Sequence, residues 1–131
     1  MLAKITIADY MTSHLLTLKH DTDVSVAIKL LLSHQITSAP VLDDAGKFIG
    51  MFSEKDCMKV VLETSYNQGL SGVVSDFMSD DLASVSADAS IVDLAEKFEQ
   101  STERSYPVFD EHDLIGIVSR TDVLKALVSI R

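Results

Sequence analysis

The chain has little of what would staple, stiffen or anchor a protein. Its 131 residues include one cysteine, Cys57, two prolines, five glycines and no tryptophan, with aromatics at only 6%. A single cysteine excludes an intramolecular disulfide framework and fits a reducing compartment; packing, not nucleophilic work, is expected of it. No apolar run approaches the ~18 residues of a membrane span, and Met1-Leu2-Ala3-Lys4-Ile5-Thr6 lacks the apolar core and cleavage site of a signal peptide. The expectation is a cytoplasmic chain with no membrane partner. Basic charge is scarce as well: 11 Lys and Arg stand against 20 Asp and Glu, net −9, which argues against a nucleic-acid partner held by a basic face. His14, His20, His34 and His112 are scattered, without His-x-x-x-His or Cys-x-x-Cys spacing, so no metal site is expected. No paired carboxylates suited to acid–base catalysis stand out, and Asp80-Asp81 reads as a solvent-facing pair.

What is present is an ordinary globular composition, 47% hydrophobic and 24% charged. The length suits about one domain, which can bury roughly two-thirds of its unfolded surface. Charge is uneven along the chain. Residues 1–62 hold six basic and seven acidic groups, and 63–131 hold five and thirteen, so the halves carry −1 and −8.

An internal repeat organises the sequence. A shift of 67 superposes Asp9-Tyr10-Met11 on Asp76-Phe77-Met78, Asp21 on Asp88, and Ser38-Ala39-Pro40-Val41-Leu42-Asp43 on Ser105-Tyr106-Pro107-Val108-Phe109-Asp110. After a one-residue deletion the shift is 66, and Ile49-Gly50, Ser53, Asp56 and Lys59 meet Ile115-Gly116, Ser119, Asp122 and Lys125. Both prolines fall at equivalent places. The reading is repeat one at 1–62, a polar connector at 63–72 and repeat two at 73–131, together one paired domain. Val24, Ala27, Ile28 and Leu31, like Ile91, Leu94, Ala95 and Phe98, have helical spacing, with Asp21 and Asp88 placed to cap the helices or to meet the positive ends of their dipoles. Two short apolar segments with a tight polar turn follow (39–43 and 48–52; 106–110 and 114–118), then a second helix, 54 to about 63 and 120 to about 130. With short strands at 15–18 and 82–85, each repeat reads β-α-β-β-α, an α/β (α+β) fold. A unit of about sixty residues buries only ~60% of its unfolded surface, so the repeats are expected to pair about a pseudo-two-fold axis that makes two equivalent clefts.

Each repeat closes on Gly-x-x-Ser-x-x-Asp, at Gly50, Ser53 and Asp56 and at Gly116, Ser119 and Asp122. Ser-x-x-Asp at a strand-to-helix junction is a helix cap. The same geometry suits a ligand: a helix N-terminus favours phosphate, Gly allows close backbone approach, and a carboxylate can accept from the two hydroxyls of a cis-diol such as ribose. Duplication of the whole pattern favours a shared task.

With Asp-x-Met at the start, Pro-Val-x-Asp on a strand and Gly-x-x-Ser-x-x-Asp at the strand end, all twice, the chain resembles a tandem pair of CBS domains, or Bateman module. The resemblance covers essentially the whole chain. It implies a regulatory, non-catalytic module that binds adenosine-containing ligands (AMP, ADP, ATP or S-adenosylmethionine), works in energy sensing, and signals to an effector protein. No cofactor is required. Ser53, Asp56, Ser119 and Asp122 would contact ribose and phosphate, joined by Lys55, Thr121, Arg120 and Arg104, the last three positions before Pro107. Thr17, Leu18, Ala39, Ser84, Val85 and Tyr106 would surround adenine. Arg104 also has a plain reading, a surface pair with a neighbouring carboxylate.

The second helices carry more apolar residues than one stripe requires: Cys57, Met58, Val60, Val61 and Leu62, and Val123, Leu124, Ala126, Leu127, Val128 and Ile130. Either both faces are buried within the pair or one belongs to a homodimer interface, the arrangement the resemblance implies. The competing readings are a structural or protein-interaction module with no small-molecule ligand, in which Ser and Asp only cap helices, and a small nucleotide hydrolase.

Overall fold

The computed structural model describes residues 1–67, 69–80 and 83–130. Gln68 of the expected connector, Asp81 of the solvent-facing pair and Leu82 at the start of an expected strand lie outside the described residues. The chain forms two compact units, Leu16–Leu82, and Met1–Leu15 with Ala83–Arg131.

In the unit of residues 16–82, β1 (Leu18–Lys19) leads through α1 (Val24–His34) to β2 (Ser38–Leu42), which lies parallel to β1. The chain then reverses into β3 (Phe48–Ser53), antiparallel to β2, giving the sheet order β1-β2-β3. Asp43 shapes that reversal, its Oδ1 accepting from the amides of Ala45 (2.9 Å) and Lys47 (2.8 Å). Helix α2 (Glu54–Asn67) starts where β3 stops, and a single helical turn, α3 (Val74–Phe77), follows. The helical spacing read from the sequence turns Val24, Ala27 and Leu31 onto Leu18, Ala39, Val41 and Phe52, with Val60 and Val74 closing the core.

The second unit repeats this plan. β4 (Val85–Ser86), α4 (Ile91–Glu99), β5 (Ser105–Asp110), β6 (Asp113–Ser119) and α5 (Arg120–Ser129) give the order β4-β5-β6 around Ile91, Leu94, Phe98, Tyr106, Val108, Val118 and Ala126. Its core also takes Ile7, from the other end of the chain. The α/β architecture and the β-α-β-β-α order agree with the sequence reading. Strand β1 covers only the end of the expected 15–18 segment.

Several local expectations are corrected. The caps of α1 and α4 are Asp23 and Ser90, two residues after Asp21 and Asp88. Turns closed by Thr22 N–H to Lys19 C=O (3.0 Å) and Ala89 N–H to Ser86 C=O (3.1 Å) delay each helix. Asp23 accepts from both the amide (2.8 Å) and hydroxyl (2.7 Å) of Ser25, which hold its carboxyl below the ordinary value. That lowering makes the cap a stabilising contact at neutral pH, lost as pH falls through the depressed value. Helix α2 runs to Asn67, beyond the expected end near Glu63, because no glycine or proline interrupts it before Gly69.

The compact units also cut the chain differently from the sequence repeats. The opening segment docks on the second unit: Ile7 and Ala8 donate to the carbonyls of Ala89 and Ala87, Ile91 donates to Ile5, and Thr12 and Ile117 exchange two hydrogen bonds. The matching segment, sixty-seven residues on, does the same in the other unit. There Val74 and Ser75 donate to Thr22 and His20, Val24 donates to Gly72, and Ser79 pairs with Met51. The regrouping evens out the charge. Residues 1–15 with 83–131 hold six basic and ten acidic groups, net −4, and 16–82 hold five and ten, net −5.

These docked segments explain the two glycines. A Cβ on Gly50 would stand 2.6 Å from the Ser79 carbonyl oxygen, and one on Gly116 would stand 2.6 Å from Met11 Sδ and 2.9 Å from the Thr12 oxygen. Close approach of the chain's own backbone, not of a ligand, requires glycine there. On α2 and α5, Val60 and Ala126 face the cores, but Met58, Val61 and Leu62 and the equivalent Leu124, Leu127 and Val128 are 52–60% exposed. One apolar face of each helix is therefore unburied in the single chain. Gly50→Ala and Gly116→Ala are each expected to cost about 1–3 kcal/mol through overpacking. Urea denaturation checks this, and an unchanged midpoint for either variant contradicts it.

Candidate functional site

The strand-to-helix junctions hold the strongest polar constellations of both units. At the β6–α5 junction the Ser119 hydroxyl accepts from the Asp122 amide (3.4 Å), while Asp122 Oδ2 accepts from the Ser119 amide (2.8 Å) and hydroxyl (3.1 Å). This is a reciprocal capping box. At the β3–α2 junction Ser53 and Asp56 repeat it, at 3.4, 2.9 and 3.0 Å. The recurrence of Ser and Asp therefore has a full structural cause in helix capping, as that of Gly has in backbone approach. A ligand role must rest on what is left over.

The leftovers differ between the units. Asp56 is 0% exposed, and its second oxygen, Oδ1, accepts from Lys59 Nζ (3.1 Å) and Ser79 Oγ (3.0 Å). Four donors thus surround it, as a carboxylate withdrawn from water requires. Asp122 is 8% exposed, and among the described residues nothing donates to its Oδ1. Lys125 and Thr12 occupy the positions equivalent to Lys59 and Ser79, and neither bonds to it. Neither Lys59 nor Ser79 is among the site candidates the sequence offers. The pairing of Lys59 with Lys125 is visible in the repeat, but the docking of Ser79 is not.

Around Asp122 the fold gathers several of the expected residues. Arg104 accepts through its carbonyl from the Arg120 amide (3.1 Å), which sets it beside the N-terminus of α5, and Ser105 pairs with Ser119 across β5 and β6. The Arg104 side chain is exposed and makes no ion pair among the described residues, so the surface pair considered from sequence does not form. Thr121 is exposed at the same helix start, as is Lys55 at the start of α2.

Arg120 has a structural task that its sequence position does not reveal. Its Nε donates to the Glu103 carbonyl (2.7 Å) and its Nη2 to those of Phe98 (2.9 Å) and Ser101 (2.8 Å), with the guanidinium 5.4 Å from the Phe98 ring centre. Through Nε and Nη2 the planar fork thus ties the end of α4 and the following loop to the start of α5, a positioning role, while Nη1 bonds to none of the described residues. The adenine candidates divide. Leu18, Ala39 and Tyr106 are core side chains, so only their backbone remains available; Tyr106 stacks on Phe98 (4.9 Å) and shares a 2.8 Å hydrogen bond with Ser101. Thr17 and Ser84 are exposed and Val85 is half-buried.

Two set-aside signals also have places. His20, Asp21 and Asp44, distant in sequence, bring their ligating atoms within 4.8 Å of one another. The His20 Nε2 to Asp44 Oδ1 hydrogen bond (3.0 Å) and the exposure of both aspartates make this a solvated surface contact. Cys57 is half-buried; burial above all, with the charges of Asp56 and Glu54, pushes its thiol up from the ordinary value. It is therefore protonated and unreactive at neutral pH.

Two β-α-β-β-α units, each closed by a Gly-x-x-Ser-x-x-Asp junction, define a paired-repeat α/β module. The family model for the CBS domain matches residues 7–63 and 74–129, and the chain belongs to that family. It is 26% identical to the uncharacterized protein MJ1225 of Methanocaldococcus jannaschii, over 94% of this chain and 43% of that one. It is 29% identical to the CBS domain-containing protein YhcV of Bacillus subtilis, over 89% of this chain and 81% of that protein. Several curated relatives are longer, so the chain spans less than half of their length. Among solved structures, CBSX2 in complex with AMP, a protein of Arabidopsis thaliana, superposes with a TM-score of 0.82 at 29% identity, covering 95% of this chain and 97% of that one. Among the described residues no helix is long and apolar enough to cross a membrane.

The contrast between the two arginines is testable. Arg120→Met removes three hydrogen bonds from a charged donor and is expected to lower stability by about 1.5–3 kcal/mol, a drop of several degrees in Tm. Arg104→Ala is expected to stay within about 0.5 kcal/mol of the parent. Thermal unfolding of both variants checks this, and equal Tm values contradict the assignment.

Proposed function

We propose that the chain is a regulatory module that binds an adenosine-containing nucleotide, AMP, ADP, ATP or S-adenosylmethionine, and signals its level to an effector protein. The observation that carries this reading is Asp122, nine-tenths buried at the start of α5 with one carboxylate oxygen unengaged, beside the exposed and unpaired Arg104. A carboxylate so placed can accept from the 2′ and 3′ hydroxyls of ribose, while the helix N-terminus and Arg104 favour the phosphate. The AMP complex of CBSX2, alike over nearly the whole of both chains, supports adenosine as the ligand class. The even charge of the units supports it too: the site lies in a unit of −4, not in a half of −8. Ser119 and Thr121 complete the proposed contacts, with Ser84 and Val85 as surroundings for adenine. Regulation then follows from differential affinity for two arrangements of the chain or its assembly, without catalysis or a required cofactor.

The capping boxes favour a second reading, a protein-interaction module without a small ligand, because they account for Ser53, Asp56, Ser119 and Asp122 unaided. Calorimetric titration with AMP, ATP and S-adenosylmethionine separates the two. Asp122→Asn keeps an oxygen for the Ser119 amide but lacks the charge, so it is expected to weaken AMP binding about a hundredfold, and Arg104→Ala about tenfold. No heat from any of the three ligands establishes the second reading.

The matching exposed faces of α2 and α5 further support a homodimer, since large apolar patches are uncommon on monomers. Light scattering is expected to give twice the 14.3 kDa chain mass, and Leu124→Asp with Leu127→Asp to give the chain mass. A monomeric parent at micromolar concentration contradicts the dimer.

A further inference from the structure

We infer that the two repeats have diverged in role, with the Asp56 junction closed by the chain's own side chains and ligand held through Asp122 alone. The inference rests on the nucleotide reading and adds which carboxylate serves it. A carboxylate has about four good acceptor positions. At Asp56 all four are taken, by the Ser53 amide and hydroxyl on Oδ2 and by Lys59 Nζ and Ser79 Oγ on Oδ1. Ser79 Oγ stands where one hydroxyl of a bound diol would donate, and Lys59 supplies the compensating charge. A diol could displace them only by leaving Lys59 unpaired and a hydroxyl to be resolvated, with no net gain in hydrogen bonds.

Both locking groups are placed by features already described. Lys59 lies one helical turn beyond Asp56 on α2, and Ser79 is fixed by its two backbone hydrogen bonds with Met51, each 2.9 Å. In the other unit the backbone is the same, Thr12 pairing with Ile117 at 2.8 and 3.0 Å, yet the Thr12 hydroxyl and Lys125 leave Asp122 Oδ1 open. The difference therefore lies in side chains and not in the path of the chain. Symmetric sequence motifs thus sit over one closed and one open carboxylate.

The test is the stoichiometry of AMP binding to the full chain by calorimetry. One mole per chain is expected, lost in Asp122→Asn. Ser79→Ala with Lys59→Met is expected to open a second site, raising the value to two and restoring binding in the Asp122→Asn background. Should the double variant fail to fold, as checked by circular dichroism, Ser79→Ala alone is expected to show a second, weaker phase. Two moles per chain in the parent, binding that survives Asp122→Asn with Lys59 and Ser79 intact, or unlocking variants that open no second site each overturn the lock while leaving nucleotide binding in place. Absence of heat in every variant overturns the nucleotide reading and this inference with it. A readout without ligand distinguishes the geometry: Ser79→Ala is expected to lower Tm by a few degrees and Thr12→Ala hardly at all, and equal shifts overturn the lock.

Discussion

A carboxylate removed from water must be given donors by the chain, and in each unit one such group sits where the last strand becomes the last helix. Asp56 and Asp122 both accept from the amide and hydroxyl of the serine three residues earlier, which fixes where α2 and α5 begin. Much else in the fold follows from that junction. The strand before it admits glycine only at Gly50 and Gly116, because another stretch of chain pairs alongside with its carbonyl close by. That stretch brings Ser79 to Asp56 in one unit and Thr12 near the same place in the other. Whether the carboxylate ends up saturated is decided by this contact together with the lysine one turn along the helix.

The duplication, the element order and the core positions were legible because they are periodic. Val24, Ala27 and Leu31, and Ile91, Leu94 and Phe98, repeat at helical spacing, and both sets are buried as that spacing requires. Residue-level chemistry was less legible, for physical reasons. A repeat shows which positions are equivalent but not which are adjacent, so nothing in the alignment of the two halves placed Met11 and Thr12 on the second unit. For the same reason the −8 of residues 63–131 belongs to the linear sequence alone, since the folded units carry −4 and −5. Arg120 shows the limit of transfer by position. Beside a helix start it resembles a phosphate ligand, yet three carbonyls near the end of α4 already take its Nε and Nη2. Tyr106 and Ala39 have their side chains in the cores, which leaves only their backbone for the contact the resemblance implies.

Capping and ligand binding are not alternatives at such a junction. One carboxylate oxygen suffices for the cap, and the second is then either neutralised from within or left for something else. Lys59 and Ser79 take the first course at Asp56, at the cost of ordering a lysine side chain. Asp122 has no such partners, and its Oδ1 reaches the surface, where the hydroxyls of a ligand can take the place of water. A ligand that does so stabilises the arrangement in which Asp122 is open to it, and this differential contact is what a regulatory module needs.

The most direct test is to follow backbone amides by nuclear magnetic resonance while AMP is added. The account predicts saturable shifts at Arg104 and Ser119 through Asp122, with Ser53 through Asp56 unmoved. Equal shifts at both junctions, or shifts confined to Ser53 through Asp56, would contradict it.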